Sequence, residues 1–378
     1  MTALAASSVL PTYARAPVTI VEGEGSWLVD ADGNRLLDFG SGIAVVSLGH
    51  RHPAPLAAAH AQLDRLWHAS NLVWTEPQAA LADRLVARFD GGAAFFCNSG
   101  TEAVEAAFKL ARKATGRVGA VALEGSFHGR TAGALALTGQ AGKRAPFEPL
   151  VPGARFAVPN DVASLEAAVG IDTGLVVLEP VLGEGGVIPL DPSFVAAAAS
   201  LAADAGALLC LDEVQTGVGR TGTFFAWEQL GVRPDLVTLA KGLANGLPLG
   251  CLLVADGHVD VLAPGDHGST FGGNPVSCAA ACAVVDAVDE TLLAHVATQG
   301  GRLAAALAAF PAVRTVRGAG LLVGAVLDRP VAPVVDACRD AGLVVLTAGE
   351  DVLRLAPPLT VSAEEIDLAL DVLAGVLA

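Results

Sequence analysis

Across the middle of the chain, short continuous apolar runs alternate with longer Ala-rich stretches whose apolar positions recur at helical spacing. The runs are AAFFC (93–97), GAVALE (119–124), GLVVLE (174–179), ALLCLD (207–212) and DLVTLAK (235–241). Runs of this length without polar alternation predict strands buried on both faces. Between them, AVEAAFKLARKA and SFVAAAASLAADAG predict helices, and strands alternating with helices at this spacing predict a mostly parallel sheet of seven strands covered on both sides. The fold class is α/β. The longest apolar stretch, Phe194 to Leu211, is mostly Ala and carries Asp204. It reads as a buried helix running into a strand rather than as a membrane span.

The two ends carry a different pattern. GLLVGAVL (320–327) and LVVLTAG (343–349) read as strands, while PVAPVVDACRDA and SAEEIDLALDVLAGVL read as helices, which predicts a smaller α+β domain. Near the start, SWLVDADGNRLLDF reads as two strands joined by a turn at Asp32-Gly33. Neither end is long enough to close its own core, so the expected organisation has residues 1–50 packing with a C-terminal domain of residues 256–378, and residues 51–255 forming the large domain.

Composition narrows the function classes. At 378 residues and 53% hydrophobic composition the chain is too long and too apolar to stay disordered. Its 23 Lys and Arg against 39 Asp and Glu leave a formal charge of -16, a field that repels phosphate backbones and anionic lipid heads. Neither nucleic acid nor a membrane is expected as partner, and an anionic small substrate has to be held by individually placed basic groups. The first twenty residues have no basic region ahead of an apolar core, which argues against a secretory signal. The six cysteines form no Cys-x-x-Cys pair, and Cys278 and Cys282 have no His or Cys partners with metal-ligand spacing. Reduced thiols in a cytoplasmic protein without a metal are the expectation.

In parallel α/β sheets, ligand groups collect beyond the carboxyl ends of the strands. Glu179, Asp212 and Lys241 each end an apolar run, so they are expected along one rim. Lys241 opens the Gly-rich turn KGLANGLPLG, and a desolvated lysine there has its lone pair freed to attack a carbonyl. Alone, a strand-end lysine is more often a surface group. Asp212 is costly at a strand end facing a cavity unless it meets a cation or a proton-bearing group, such as a protonated pyridine nitrogen; its plainer reading is a structural ion pair.

Three further segments carry polar groups to that rim. CNSGTEAVEAAFKLARKA has the capping-box form at Ser99–Glu102, and the helix start with Ser99, Gly100 and Thr101 forms an anion cradle; an ordinary capped helix looks the same. EGSFHGRT brings out Phe127, whose face suits a planar ring, and Arg130, whose fork suits a carboxylate, with His128 between them read as a packed histidine. HGSTFGGNP offers Ser269 and Thr270 in an irregular loop, and VLRLAPPLT places Arg354 ahead of two prolines, either as a carboxylate anchor or paired with a surface acid.

Taken together, nine segments in order, LLDFGSGIAVVSLGHRHP, SNLVWTEPQ, CNSGTEAVEAAFKLAR, EGSFHGRT, LEPVLGEGG, LDEVQTGVGRTG, TLAKGLANGLPLG, GSTFGGNP and RLAPPL, resemble the class III aminotransferases. These enzymes use pyridoxal 5'-phosphate on the fold type I scaffold. The resemblance implies that Lys241 is the Schiff-base lysine and moves the reacting proton, that Asp212 holds the pyridine nitrogen with Val214 against the ring and Gln215 near its phenolic oxygen, and that Phe127 stacks on the other face. It implies that Gly100 and Thr101, with Ser99 nearby, bind the phosphate, and that Thr270 reaches the phosphate of a partner subunit with Ser269 beside the substrate, so that a homodimer shares its sites.

Within the class the segments look most like the acetylornithine branch of arginine biosynthesis, which implies N2-acetyl-L-ornithine as amino donor, 2-oxoglutarate as acceptor and glutamate as product. There Arg130 takes the α-carboxylate of acetylornithine, Arg354 that of glutamate or 2-oxoglutarate, and Glu184 pairs with Arg354 when that carboxylate is absent. Two positions depart from the family pattern: Val46 stands where relatives often have Asn, and Leu182 where they usually have Gln.

Overall fold

A computed structural model describes residues 8–378. Seven strands form the central sheet in the order Ala93–Cys97, Gly250–Val254, Leu236–Leu239, Leu208–Asp212, Thr173–Leu178, Gly119–Leu123, Ala154–Ala157. The five from Leu236–Leu239 onward are parallel, and Gly250–Val254 runs antiparallel to both of its neighbours. Successive residues of the central strands point to opposite faces and enter two separate cores. Ala120, Val177 and Cys210 pack with Val104 and Phe108 of the helix Gly100–Thr115, while Val121, Val176 and Leu211 pack with Phe194 and Ala198 of the helix Pro192–Ala205. Burial on both faces is why these strands lack polar alternation.

Two strands escaped the apolar pattern. Ala154–Ala157 is an edge strand carrying Arg155, and Gly250–Val254 follows directly on a Gly- and Pro-rich turn that masks its start.

The N-terminal strands Ile20–Glu24, Trp27–Asp30 and Arg35–Asp38 share a sheet with Leu343–Val344, which pairs in parallel with Arg35–Asp38. The segment read as one strand, LVVLTAG, divides. Its first half joins that N-terminal sheet, and Leu346–Thr347 joins Val313–Ala319, Leu322–Leu327 and Val352–Leu355 in another. The chain changes sheets at Val345, which is buried. The helix Pro275–Ala287, capped by Asn274, packs on the helices Pro53–Leu63 and Glu76–Phe89. No helix among the described residues is long and apolar enough to cross a membrane.

Candidate active site

Beyond the carboxyl ends of the central strands lies a cavity of about 390 Å³ whose wall includes Asp212, Glu179, Lys241, Phe127, Arg130, Gly100, Thr101, Val214 and Gln215. Lys241 follows Leu236–Leu239 by two residues and takes a positive φ of 36°, a conformation an L residue holds only when its surroundings impose it. The N-terminal segment supplies those surroundings. Ser47 Oγ donates to the Gly242 carbonyl (2.9 Å), and Asn245 accepts from Leu48 N (2.8 Å) and donates to the Gly49 carbonyl (2.9 Å). Among the described residues no hydrogen bond or ion pair engages the Lys241 amine. Burial first, and then the nearby Arg354 guanidinium, push its pKa down to about 8 against the opposing pull of Glu184, Glu179 and Asp212.

Asp212 is fixed on both oxygens. Oδ1 accepts from Val214 N (3.1 Å) and Thr238 Oγ1 (2.8 Å), and Oδ2 lies 2.6 Å from His128 Nδ1. Thr238 stands directly opposite Asp212 in the parallel register of the two strands. His128 is buried, and its Nε2 has no partner. Burial disfavours the imidazolium, but the hydrogen bond and charge of Asp212, aided by Glu179, hold its pKa above the usual value. His128 thus does more than pack: with Thr238 it orients Asp212. Glu179 accepts from Phe127 N (2.8 Å) and Gly183 N (3.3 Å), and burial raises its pKa to about 7.

The helix Gly100–Thr115 starts at the cavity wall. Ser99 Oγ donates to Glu102 Oε2 (2.9 Å) and accepts from Glu102 N (3.4 Å), while Glu102 reaches back to Asn98 N (2.7 Å). This reciprocal cap occupies the Ser99 hydroxyl, so Ser99 positions the cradle rather than offering its own donor to an anion. The Gly100 and Thr101 N–H groups, first in the helix, have no partner within it. Thr101 Oγ1 lies 2.8 Å from Thr131 Oγ1 and accepts from Thr131 N (3.2 Å), a neighbour the sequence reading did not single out. A side chain at Gly100 would lie 2.7 Å from a Val214 methyl, and one at Gly129, where φ is +137°, would overlap Thr101. These two glycines let the turn and the helix start approach each other.

Arg354 is 4% exposed. Its Nη1 donates to the Gly183 carbonyl and to Gln215 Oε1, both at 3.0 Å, and its Nε has no partner. The expected Arg354–Glu184 pairing is not formed. Glu184 Oε2 instead lies 2.7 Å from Lys143 Nζ, and Lys143 sits 4.6 Å from the centre of the Phe127 ring. Arg354 has no acidic partner within ion-pair distance among the described residues, and neither it nor Glu184 lines the cavity directly; Gln215 stands at the wall and bonds to Arg354. Arg130 lies at the wall, exposed, 5.6 Å from the centre of the Phe127 ring.

Ser269 and Thr270 stay outside the cavity of this single chain: Ser269 Oγ bonds Asn98 Nδ2 (3.2 Å) and Gly272 N (2.9 Å), and Thr270 is exposed. Of the two departures, Leu182 is fully buried in the apolar core, and Val46 lines a separate hollow with Ile20, Val21 and Leu28 while Val45 lines the cavity.

The residues fit pyridoxal phosphate. An amine desolvated and without a partner among the described residues, a buried carboxylate anchored by three hydrogen bonds, unpaired N–H groups at a helix start and two glycine cradles converge on one cavity. Arg354 adds an orphaned buried Nε close behind the wall.

A family model described as aminotransferase class-III matches residues 9–377. The acetylornithine aminotransferase of Mycolicibacterium smegmatis is 51% identical over 98% of this chain and 96% of its own length. Among solved structures, the N-acetylornithine aminotransferase of Stenotrophomonas maltophilia superposes with a TM-score of 0.84 at 35% identity, covering 95% of each chain. The ornithine aminotransferase of Toxoplasma gondii superposes with a TM-score of 0.93 at 30% identity over 98% of this chain and 92% of that one.

Proposed function

From the premise that the chain belongs to the class III aminotransferases, which depend on pyridoxal phosphate, we propose that it transfers the terminal amino group of N2-acetyl-L-ornithine to 2-oxoglutarate. The products are N-acetyl-L-glutamate 5-semialdehyde and L-glutamate, a step of arginine biosynthesis. The single observation that carries the reading is the convergence of Lys241 and Asp212 on one cavity with two arginines, Arg130 at its wall and Arg354 behind it, that have no acidic partner within ion-pair distance among the described residues. The 51% identical relative supports the choice of donor.

When bound, the cofactor supplies an aldehyde that captures amines and a ring that takes up the electron pair left on an adjacent carbon. Lys241 offers a lone pair from about pH 8 upward and, once released, carries the proton between the substrate carbon and the cofactor. The Asp212 carboxylate would hold the pyridine nitrogen. His128 and Thr238 fix that carboxylate, so no reorganisation is needed as charge develops. Phe127 and Val214 would hold the two ring faces, Gln215 would serve the phenolic oxygen, and Gly100 and Thr101 with the Ser99 cap would hold the phosphate. Arg130 binds the α-carboxylate of acetylornithine and Arg354 that of the acceptor. Two half-reactions through one pocket make the kinetics ping-pong.

The site is read as shared between two copies of the chain. Trp67 (70%), Leu72 (93%), Trp74 (87%) and Phe271 (61%) are exposed on neighbouring segments, which Asn71 ties together through bonds to the Ser269 and Gly272 carbonyls. An apolar surface of this kind supports a homodimer, with Thr270 delivered to the partner's phosphate site. Five of the six free cysteines are buried, which suits a reducing cytoplasm.

The test is a steady-state comparison of acetylornithine, ornithine, succinylornithine and 4-aminobutyrate as donors to 2-oxoglutarate. Acetylornithine is expected to give the highest kcat/KM. Any other donor in first place overturns the assignment.

A further inference from the structure

The charges behind Phe127 do not balance in pairs. Glu184 is one acid among three cations, Lys143, Arg354 and Lys241, and in this structure it rests on Lys143 at 2.7 Å. Arg354 is buried and holds only neutral acceptors, the Gly183 carbonyl and the Gln215 amide oxygen. A buried guanidinium without a counter-charge carries a desolvation cost that an arriving carboxylate relieves. The same cost is relieved if Glu184 turns to it, since Glu184 follows Gly183, whose carbonyl already bonds Arg354. Whichever cation Glu184 leaves has to be tolerable alone. Lys143 is the easier to leave, because its ammonium sits about one-quarter exposed and 4.6 Å from the Phe127 ring centre.

We propose that Lys143 is a specificity-determining residue: it is the resting station that draws Glu184 away from Arg354 and so keeps that guanidinium free for a dicarboxylate acceptor. The inference deepens the reading of the site as one that handles both a donor without a carboxylate on its reacting carbon and a 2-oxoacid that has one there. With a dicarboxylate in the pocket, Glu184 is on Lys143 and the ligand's carboxylate is on Arg354. With a donor that has no carboxylate on the carbon bearing its reacting amine, Glu184 neutralises Arg354 and Lys143 is left against Phe127 and water. Removing Lys143 takes away the cation on which Glu184 rests, so Glu184 is drawn by Arg354 and Lys241, and an acceptor that needs Arg354 has to displace it.

The test uses the cofactor-loaded enzyme. In Lys143→Met the KM for 2-oxoglutarate is expected to rise about tenfold, while kcat and the KM for the amino donor stay within about twofold, as for loss of an interaction specific to one ligand. Glutarate, a dicarboxylate that cannot react, is expected to bind about tenfold more weakly by calorimetry. Lys143→Arg is expected to restore both values. In a Glu184→Gln background the Lys143→Met change should leave the glutarate affinity unaltered, because the competing acid is gone. The inference is overturned if Lys143→Met leaves the acceptor KM and glutarate affinity unchanged, or weakens glutarate equally in both backgrounds, as a purely structural lysine would. Failure of acetylornithine to rank first among donors strikes the donor assignment alone, since glutarate binding is read without any donor.

Discussion

At the scale of single residues, the decisive feature is an amine made reactive by its surroundings. Burial and Arg354 bring the Lys241 pKa from 10.5 down to about 8. Covalent loading of the cofactor-free protein with pyridoxal phosphate is therefore expected to speed up as pH rises through about 8 and to level off above it, followed by the visible absorbance of the bound cofactor. A rate that keeps climbing toward pH 10.5 would show an unperturbed lysine. The same shift sets a sign for stability. Between about 8 and 10.5 the unfolded chain holds the extra proton, so this group's contribution to stability rises with pH across that window, and its cost is fully present below it. Lys241, Asp212 and Phe127 were legible because each ends or follows an apolar run, which places it at a strand tip. His128, Thr238 and Lys143 were not legible as site residues, because their roles come from strand register and from packing across distant segments.

At the scale of elements, the helix Gly100–Thr115 does two jobs with one terminus. Its capping box fixes the first turn, and its free N–H groups face the cavity. Ser99→Ala removes one partner of that cap and is expected to lower the unfolding free energy of the cofactor-free protein by about 1 kcal/mol in denaturant titration. It should also weaken phosphate retention, seen as a higher dissociation constant for pyridoxal phosphate. Unchanged values for both would mean that the cap is not what orders this terminus. The capping pattern was visible in the sequence, since S-x-x-E ahead of an apolar stripe is a local signal. The division of LVVLTAG between two sheets was not, because an apolar run does not say which partner strand it pairs with, and here the change at Val345 is decided by tertiary packing.

At the scale of the whole molecule, the sheet brings strand tips far apart in sequence to one rim, and the N-terminal segment crosses to pin the Lys241 turn through Ser47, Leu48 and Gly49. The α/β class followed from the strand–helix alternation. Near the two ends of the chain, Arg35–Asp38 pairs in parallel with Leu343–Val344. The exposed Leu72 and Trp74 stand in the sequence only as part of the segment SNLVWTEPQ, and Trp67 stands in none of the quoted segments, since exposure is a property of the folded surface. The architecture also selects among lysines, of which the chain has four: Lys109, Lys113, Lys143 and Lys241. Lys143 lies close by but is engaged by Glu184, and the other two lie on the outer reaches of the helix that begins at the cradle. Borohydride reduction of the native cofactor-loaded protein, followed by peptide mass mapping, reads that selection directly. The pyridoxyl phosphate mass is expected on Lys241 alone, and its appearance on any of the other three lysines, or on none, would contradict the account.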